Sequence, residues 1–278
     1  MSSVADIMTT KVVAVAPTST VLETQKLMAD KRINRIVVVD KQNKSVGIIT
    51  RKDIANLLIA DKSRRSLEDI NAKEVMSKGL IMVNPVASIS EVAETMIKKM
   101  VSSLIVVDKG NRLRGIVTKT DVAMYIASRG AGRHKVSDFM TGNPITVKPT
   151  SSIFLPAHLM FEHKISRVVV TDNQDKPIGI VTLFDTSTIP GLFKPPKTGK
   201  EKPMFVKGII TPPYGTHLLL ARDIMTANPI AVTENSDLAD AAKLMVTQAI
   251  SGLPVIDNVG KLAGIVTKSD LTRAVAST

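Results

Sequence analysis

The stretch GIITRKD, from Gly47 to Asp53, decides how this chain of 278 residues is organised. The same pattern returns as GIVTKTD at Gly115, GIVTLFD at Gly179 and GIVTKSD at Gly264. Adding 68, 132 or 217 to the residue numbers of the first copy superimposes the other three on it without a gap. One structural unit is therefore used four times, and this repeat comes before any other feature in assigning the fold.

Each copy predicts the same order of elements, β-α-β-β-α. A short apolar run is followed by an amphipathic helical stretch, then by a run rich in β-branched residues such as RIVVVD from Arg35. A turn leads to the run that ends in the shared threonine, and helical spacing resumes after it. The first helix carries a methionine on its apolar face in every copy, which we expect to be core: Met28, Met96, Met160 and Met245.

Composition limits the classes to which the chain can belong. With 44% apolar and 22% charged residues and no run long enough to span a bilayer, we expect a soluble protein. The β-α-β-β-α order of elements, rather than the composition, predicts the α/β class of the α+β type. The chain has no cysteine and no visible secretory signal, so a cytoplasmic location is expected. Of the net charge of +12, seven units lie in two connecting segments, residues 127–135 and 190–219.

The G-h-h-T-x-x-D pattern (h, apolar), the DIMT opening and the VVVD strand resemble the cystathionine-β-synthase (CBS) motif, here in four tandem copies. The arrangement is similar to the γ subunit of the AMP-activated protein kinase and to stand-alone four-motif proteins of prokaryotes. The resemblance implies that motifs pair into two Bateman modules, and that these form a disc. We expect motifs at residues 4–58, 71–126, 135–189 and 220–275, with a proline-rich basic connector at 190–219.

The resemblance also implies a regulatory module that binds adenine nucleotides (AMP, ADP or ATP) and acts on a partner protein. In that family the threonine reaches phosphate or ribose and the aspartate binds the ribose hydroxyls. Carried over, the candidate half-sites are Thr50/Asp53, Thr118/Asp121, Thr182/Asp185 and Thr267/Asp270. A simpler interpretation is that each pair only caps the helix that follows it.

The beginning of the second strand is the other candidate position, because it lines the ligand cleft in the kinase γ subunit. Here it holds Asn34, Arg35, Ser102, Ser166, Arg167 and Ser251. Arginine suits phosphate because its guanidinium donates two parallel hydrogen bonds. Lys52, Lys119 and Lys268 add charge beside the aspartates, whereas the third copy has Leu183 and Phe184 there. These cations could equally be solvated surface charges.

Other functions remain as alternatives. The connector interleaves Phe193, Phe205 and Tyr214 with lysines, which is also a pattern of single-stranded nucleic-acid binders. A sensor of S-adenosylmethionine-type ligands and a homodimer of discs are further possibilities. We expect no enzyme and no metal site, because no catalytic motif is visible and His158 and His163 lack a matching carboxylate pattern. An inosine-monophosphate dehydrogenase is excluded, since the chain has no room for its barrel and no cysteine nucleophile.

Overall fold

The computed structural model describes residues 2–60, 65–187, 205–206, 209–210 and 219–277. The chain divides into two compact units, one made of Met1–Arg129 with Leu271–Thr278 and the other of Gly130–Asp270. The first unit contains the copies that we call motifs 1 and 2. The second contains motif 3 and motif 4 as far as Asp270.

Motifs 1 and 2 each contain three strands and two long helices, preceded by a short opening segment. In motif 1 these are a 3-10 turn (Val4–Asp6), β1 (Ala14–Val15), α1 (Val21–Asp30), β2 (Arg35–Val39), β3 (Ser45–Thr50) and α2 (Arg51–Ala60). In motif 2 they are α3 (Ala72–Val75), β4 (Met82–Val83), α4 (Ile89–Lys98), β5 (Ser103–Val107), β6 (Leu113–Thr118) and α5 (Lys119–Arg129).

Motifs 3 and 4 repeat this order. Motif 3 has a 3-10 turn (Val136–Asp138), β7 (Thr141–Gly142), β8 (Thr146–Val147), α6 (Phe154–Glu162), β9 (Arg167–Thr171), β10 (Pro177–Thr182) and α7 (Leu183–Ser187). Two short antiparallel strands follow, β11 (Phe205–Val206) and β12 (Ile209–Ile210). Motif 4 has α8 (Ala221–Ile224), β13 (Thr226–Ala227), β14 (Val232–Thr233), α9 (Leu238–Thr247), β15 (Gly252–Ile256), β16 (Leu262–Thr267) and α10 (Lys268–Ala276).

The strand order is the same in every motif. In motif 1, β1 lies parallel to β2, and β2 lies antiparallel to β3 with Arg35 opposite Thr50. Equivalent sheets are β4-β5-β6, β8-β9-β10 and β14-β15-β16. This confirms the predicted β-α-β-β-α order and places the start of the second strand of each motif beside the threonine that ends its third strand.

The core lies between the sheets and their helices. The β-branched run Ile36, Val37 and Val38 is fully buried, as expected for a strand that is covered on both faces. The methionines of the first helix are at most 1% exposed, which confirms their assignment to the core: Met28, Met96, Met160 and Met245. A flexible thioether fills such irregular space well.

Paired motifs exchange their opening segments, a feature that the sequence did not predict. Thr9 of motif 1 exchanges two backbone hydrogen bonds with Ile116 of motif 2, at 2.9 and 3.0 Å. Ser77 of motif 2 does the same with Ile48 of motif 1, at 2.9 and 3.1 Å. In the second unit β7 of motif 3 pairs with β16 of motif 4, and β13 of motif 4 pairs with β10 of motif 3. Each motif is thus completed by residues of its partner.

The exchange explains why the glycine of the repeated pattern is present. The methionine of each opening segment packs over the glycine of the partner motif, so that a Cβ on Gly115 would lie 2.6 Å from Met8 Sδ. A Cβ on Gly264 would lie 2.8 Å from Met140 Sδ, and Gly47 and Gly179 meet Met76 and Met225 still more closely. Only hydrogen fits at these positions.

Candidate functional site

The threonine and aspartate of the repeated pattern bond to each other in all four motifs. In motif 1, Thr50 N and Thr50 Oγ1 donate to Asp53 Oδ2 at 2.8 and 2.6 Å, and Asp53 N donates to Thr50 Oγ1 at 3.3 Å. In the other motifs the two bonds to the aspartate oxygen are 2.6–2.7 Å long. The pair therefore forms the capping box that the sequence allowed, and one carboxylate oxygen is committed to it.

The residue before the second strand of each motif is joined by a backbone hydrogen bond to the helix that the capping box begins. The carbonyl of Asn34 accepts a hydrogen bond from Arg51 N at 3.1 Å, which ties the start of β2 to the first turn of α2. The equivalent carbonyls of Ser102, Ser166 and Ser251 accept from the corresponding helix residues at 3.0–3.2 Å. The side chains of these four residues, Asn34, Ser102, Ser166 and Ser251, are exposed. The structure therefore brings the predicted polar residues of each motif together at one end of its sheet.

The two arginines interact with the partner motif of their own unit, Arg167 through a hydrogen bond and Arg35 through charge. Arg167 Nη2 donates to Ser251 Oγ at 2.8 Å, and the guanidinium is attracted to the carboxylate of Asp270. Gly252 makes this path possible, because a Cβ there would collide with Arg167 Nη1. In the first unit Arg35 is attracted in the same way to Asp121. The positions equivalent to these arginines in motifs 2 and 4 hold only Ser103 and Gly252.

The four half-sites are consequently of two kinds. Asp121 is 4% exposed and Asp270 is 2% exposed, and the positive charge of an arginine of the partner motif acts on each. Asp53 and Asp185, in contrast, are partly exposed. Each unit therefore has one covered and one accessible threonine–aspartate pair. Sequence reasoning missed this difference, although the alternation of arginine with serine or glycine along the four copies was a visible signal.

Burial sets the protonation behaviour of the covered half-site. Burial raises the pKa of Asp121, and the hydrogen bonds from Thr118 together with the attraction of Arg35 oppose that rise. Burial likewise lowers the pKa of Arg35 and of Arg167, each opposed by the facing carboxylate. Arg35 and Asp121 thus stabilise each other's charged form, which isolation from water would otherwise disfavour.

The lysines beside the aspartates are less uniform. Lys52 is exposed, whereas Lys119 and Lys268 are partly exposed. In motif 3 the corresponding helix start presents the apolar side chains of Leu183 and Phe184, which are 37% and 55% exposed. Motif 3 thus offers an accessible half-site with an apolar border.

The proline-rich connector, residues 190–219, lies almost wholly outside the described residues. Phe193 and Tyr214, which were candidates for stacking on bases, are outside them, and so is most of the basic sequence. Among the residues described, no group of three histidine, aspartate or glutamate side chains is arranged to hold a metal ion. Across the same residues, none of the helices has both the length and the apolar character needed to traverse a bilayer.

Comparison with known proteins identifies the repeat. The family model for the CBS domain matches residues 4–60, 72–128, 136–186 and 221–277, which together make up most of the chain. The chain belongs to the CBS domain family. Its four CBS motifs confirm both the resemblance read from the sequence and the mixed α/β fold class.

Relatives and solved structures agree with this assignment. The uncharacterised protein MJ1225 of Methanocaldococcus jannaschii is 28% identical over 96% of this chain and 96% of its own length. Its crystal structure, proposed to be that of an archaeal homologue of γ-AMPK, has a TM-score of 0.76 and covers 98% of this chain and 99% of that one. A second uncharacterised M. jannaschii protein, MJ1404, is 31% identical over 98% of this chain and 62% of its own length.

Proposed function

We propose that this CBS protein is a regulatory module that binds adenine nucleotides and acts on a partner protein. The accessible threonine–aspartate pair in each unit, Thr50/Asp53 and Thr182/Asp185, carries this proposal. In motif 1 the box uses only Asp53 Oδ2, and among the described residues Asp53 Oδ1 has no hydrogen-bond partner. A carboxylate oxygen in this position suits the vicinal hydroxyls of a ribose, since both are donors.

The rest of the first half-site suits phosphate. Thr50 lies where β3 passes into α2, a helix of ten residues whose first N–H groups favour an anion. Ribose and phosphate would therefore be bound within a few ångströms of each other at one end of the sheet. AMP, ADP and ATP all carry these two groups, and S-adenosylmethionine carries the ribose without the phosphate.

The covered half-sites require a further step. A ligand that reaches Asp121 or Asp270 must share the space beside that buried carboxylate with Arg35 or Arg167, and the guanidinium could then bind its phosphate. We therefore propose that the half-sites of motifs 1 and 3 fill first. Filling of the other two would change the contacts between paired motifs, and such a differential affinity is what a sensor needs to shift its partner's state.

The remaining parts of the proposal concern the context of the protein. We propose that the chain has no catalytic activity of its own, and that its output passes to a protein that binds one of its surfaces. A homodimer and a cytoplasmic location belong to the same proposal.

Isothermal titration calorimetry with AMP, ADP, ATP and S-adenosylmethionine tests the function directly. Alanine at Asp53 would remove the capping box together with the ligand contact, so Asp53→Asn with Asp185→Asn is the sharper change. Asparagine keeps one oxygen for the box but replaces the second acceptor by an NH₂ donor. We expect affinity for the preferred nucleotide to fall on the order of tenfold or more.

Asp30→Asn is a matched control, because it removes one exposed carboxylate at the end of α1. This variant should bind like the unsubstituted chain. Equal affinities for the control and for the double variant would refute the assignment of the accessible half-sites. Failure of all four ligands to bind the unsubstituted chain would refute adenine-nucleotide sensing.

A further inference from the structure

The turns between the two long strands of motifs 1 and 2 meet in the first unit. Leu113 N donates to the carbonyl of Asn43 at 3.0 Å, and Lys44 forms a β-bridge with Arg112. A depression of about 510 Å³ lies over this contact and is lined by Lys44, Asp108, Lys109, Gly110 and Arg112. Its volume falls in the range of small-molecule sites.

The charge of this depression is positive. Asp108 is the one acidic residue in the lining, and its Oδ1 accepts hydrogen bonds from Gly110 N and Arg112 N at 2.9 and 3.0 Å. Its Oδ2 pairs with Arg114 Nη2 at 2.8 Å, outside the lining. Within the described part of the chain, no carboxylate forms an ion pair with Lys44, Lys109 or Arg112. Three exposed cations therefore line the depression beside a single carboxylate, which is already paired with Arg114.

The second unit provides an internal comparison. Its equivalent turns meet in the same way, since Leu262 N donates to the carbonyl of Asp175 at 2.9 Å. Asn173 and Asn258 stand at the positions equivalent to Lys41 and Lys109, and Asp175 stands at the position equivalent to Asn43. A depression of about 220 Å³ beside this contact has a different lining, in which Asp175, paired with Lys148 at 3.5 Å, is the only charged residue. Lys109 is thus not a requirement of the backbone, whereas Lys44 and Arg112 correspond to the lysines Lys176 and Lys261 of the second unit.

The depression is separate from the nucleotide half-sites. β2 begins at Arg35 beside Thr50, and the turn lies at the other end of the same two strands. Five residues of extended chain span roughly 15–20 Å. A ligand at the turns therefore does not share atoms with a ligand at Thr50 and Asp53.

We propose that the paired turns of the first unit bind an oligophosphate group. Arginine and lysine together suit such a group, because the guanidinium donates to two oxygens while the ammonium groups neutralise neighbouring phosphates. The group could belong to an inorganic polyphosphate or to the tail of a nucleotide. Both sources present the same chain of phosphoryl oxygens.

Calorimetric titration of the full chain with inorganic triphosphate tests this site. Lys109→Asn with Arg112→Gln removes two of the three cations, and Lys109→Asn introduces the residue that the second unit already tolerates. The matched control is Lys176→Gln with Lys261→Gln, which removes two lysines from the equivalent turns of the second unit. We expect the first pair to lower triphosphate affinity on the order of tenfold or more, and the control by less than about twofold.

Three results would overturn the proposal. Equal losses in the two variants would indicate attraction to net charge alone. No binding of triphosphate by the unsubstituted chain would exclude the site, as would tighter binding of a single-stranded RNA through the same residues.

Titration of Asp53→Asn with Asp185→Asn separates this site from the proposed nucleotide sites. Unchanged triphosphate affinity in that variant supports a separate site, whereas its loss would place the phosphate at the half-sites and leave the nucleotide proposal standing. Repeating the titration with ATP and AMP identifies the source: a nucleotide tail requires that Lys109→Asn with Arg112→Gln weaken ATP and spare AMP.

Discussion

The guanidinium of Arg167 in motif 3 lies 2.8 Å from the hydroxyl of Ser251 in motif 4 and is attracted to the buried carboxylate of Asp270. Arg167 comes before the threonine–aspartate pair of its own motif in the sequence, but it completes the pair of the neighbouring motif. Arg35 and Asp121 repeat the relationship in the first unit. The two-motif unit, rather than the single motif, is thus the smallest part of the chain in which a half-site has its full set of side chains.

Removing Arg167 should destabilise the protein because it leaves a buried carboxylate without its countercharge. We expect Arg167→Ala to lower the free energy of unfolding by about 1–3 kcal/mol. Asp270→Asn should remove most of this cost, so that a double-mutant cycle measured by urea denaturation gives a coupling energy above about 0.5 kcal/mol. Additive effects of the two substitutions would show that the pair contributes nothing.

The close packing of Met76 on Gly47 predicts that alanine is not tolerated at the glycine. Gly47→Ala places a Cβ inside the space of the methionine side chain, and overpacking of this kind costs about 1–3 kcal/mol. Gly79→Ala is the control, since nothing lies within 4 Å of a Cβ added there, and it should change stability by less than about 0.5 kcal/mol. Met76→Ala in the Gly47→Ala background should recover part of the loss of melting temperature.

Asp121 and Asp108 should influence acid stability in opposite directions. The pKa of Asp121 is raised above its ordinary value of 3.8, chiefly by burial, so the folded state binds its proton more tightly than the unfolded state. The contribution of Asp121 to stability therefore decreases as pH rises from near 3.8 through the raised pKa. Backbone hydrogen bonds from Arg112 and Gly110 lower the pKa of Asp108, whose contribution is present above 3.8 and is lost as pH falls through the lowered pKa.

Urea unfolding between about pH 3 and pH 6 measures both effects. Asp121→Asn should make stability rise more steeply with pH than in the unsubstituted chain, whereas Asp108→Asn should make the rise shallower. The two variants each remove one carboxylate, so each serves as the control for the other. Slopes that change in the same direction would contradict the assigned pKa shifts.

Ser45 is a site where the native residue reduces stability. Its side chain is buried at the start of β3, and its Oγ has no hydrogen-bond partner among the described residues. An unsatisfied buried hydroxyl costs about 1–3 kcal/mol, so Ser45→Ala should raise the free energy of unfolding by about 1 kcal/mol. A lower melting temperature in this variant would show that the hydroxyl has a partner in solution.

Much of the architecture could be predicted because its causes are local. Apolar periodicity and β-branched runs dictate the β-α-β-β-α order, and the capping box of Thr50 and Asp53 needs only residues three positions apart. Asp40 is a similar case, since its Oδ1 accepts hydrogen bonds from Gln42 N and Lys44 N within one turn. Because these residues recur at the same spacing in four copies, the number of motifs and the family could be predicted as well.

The tertiary structure alone decided how the copies differ and how they are joined. The contact of Gly47 with Met76 requires the exchange of opening segments, and no local pattern specifies which of two similar sheets a segment completes. The burial of Asp121 and Asp270, against the partial exposure of Asp53 and Asp185, likewise depends on how the paired motifs pack. The chemical character of a side chain is a property of the residue itself. Its accessibility is a property of the packed unit, because side chains from elsewhere in the chain decide whether it is covered.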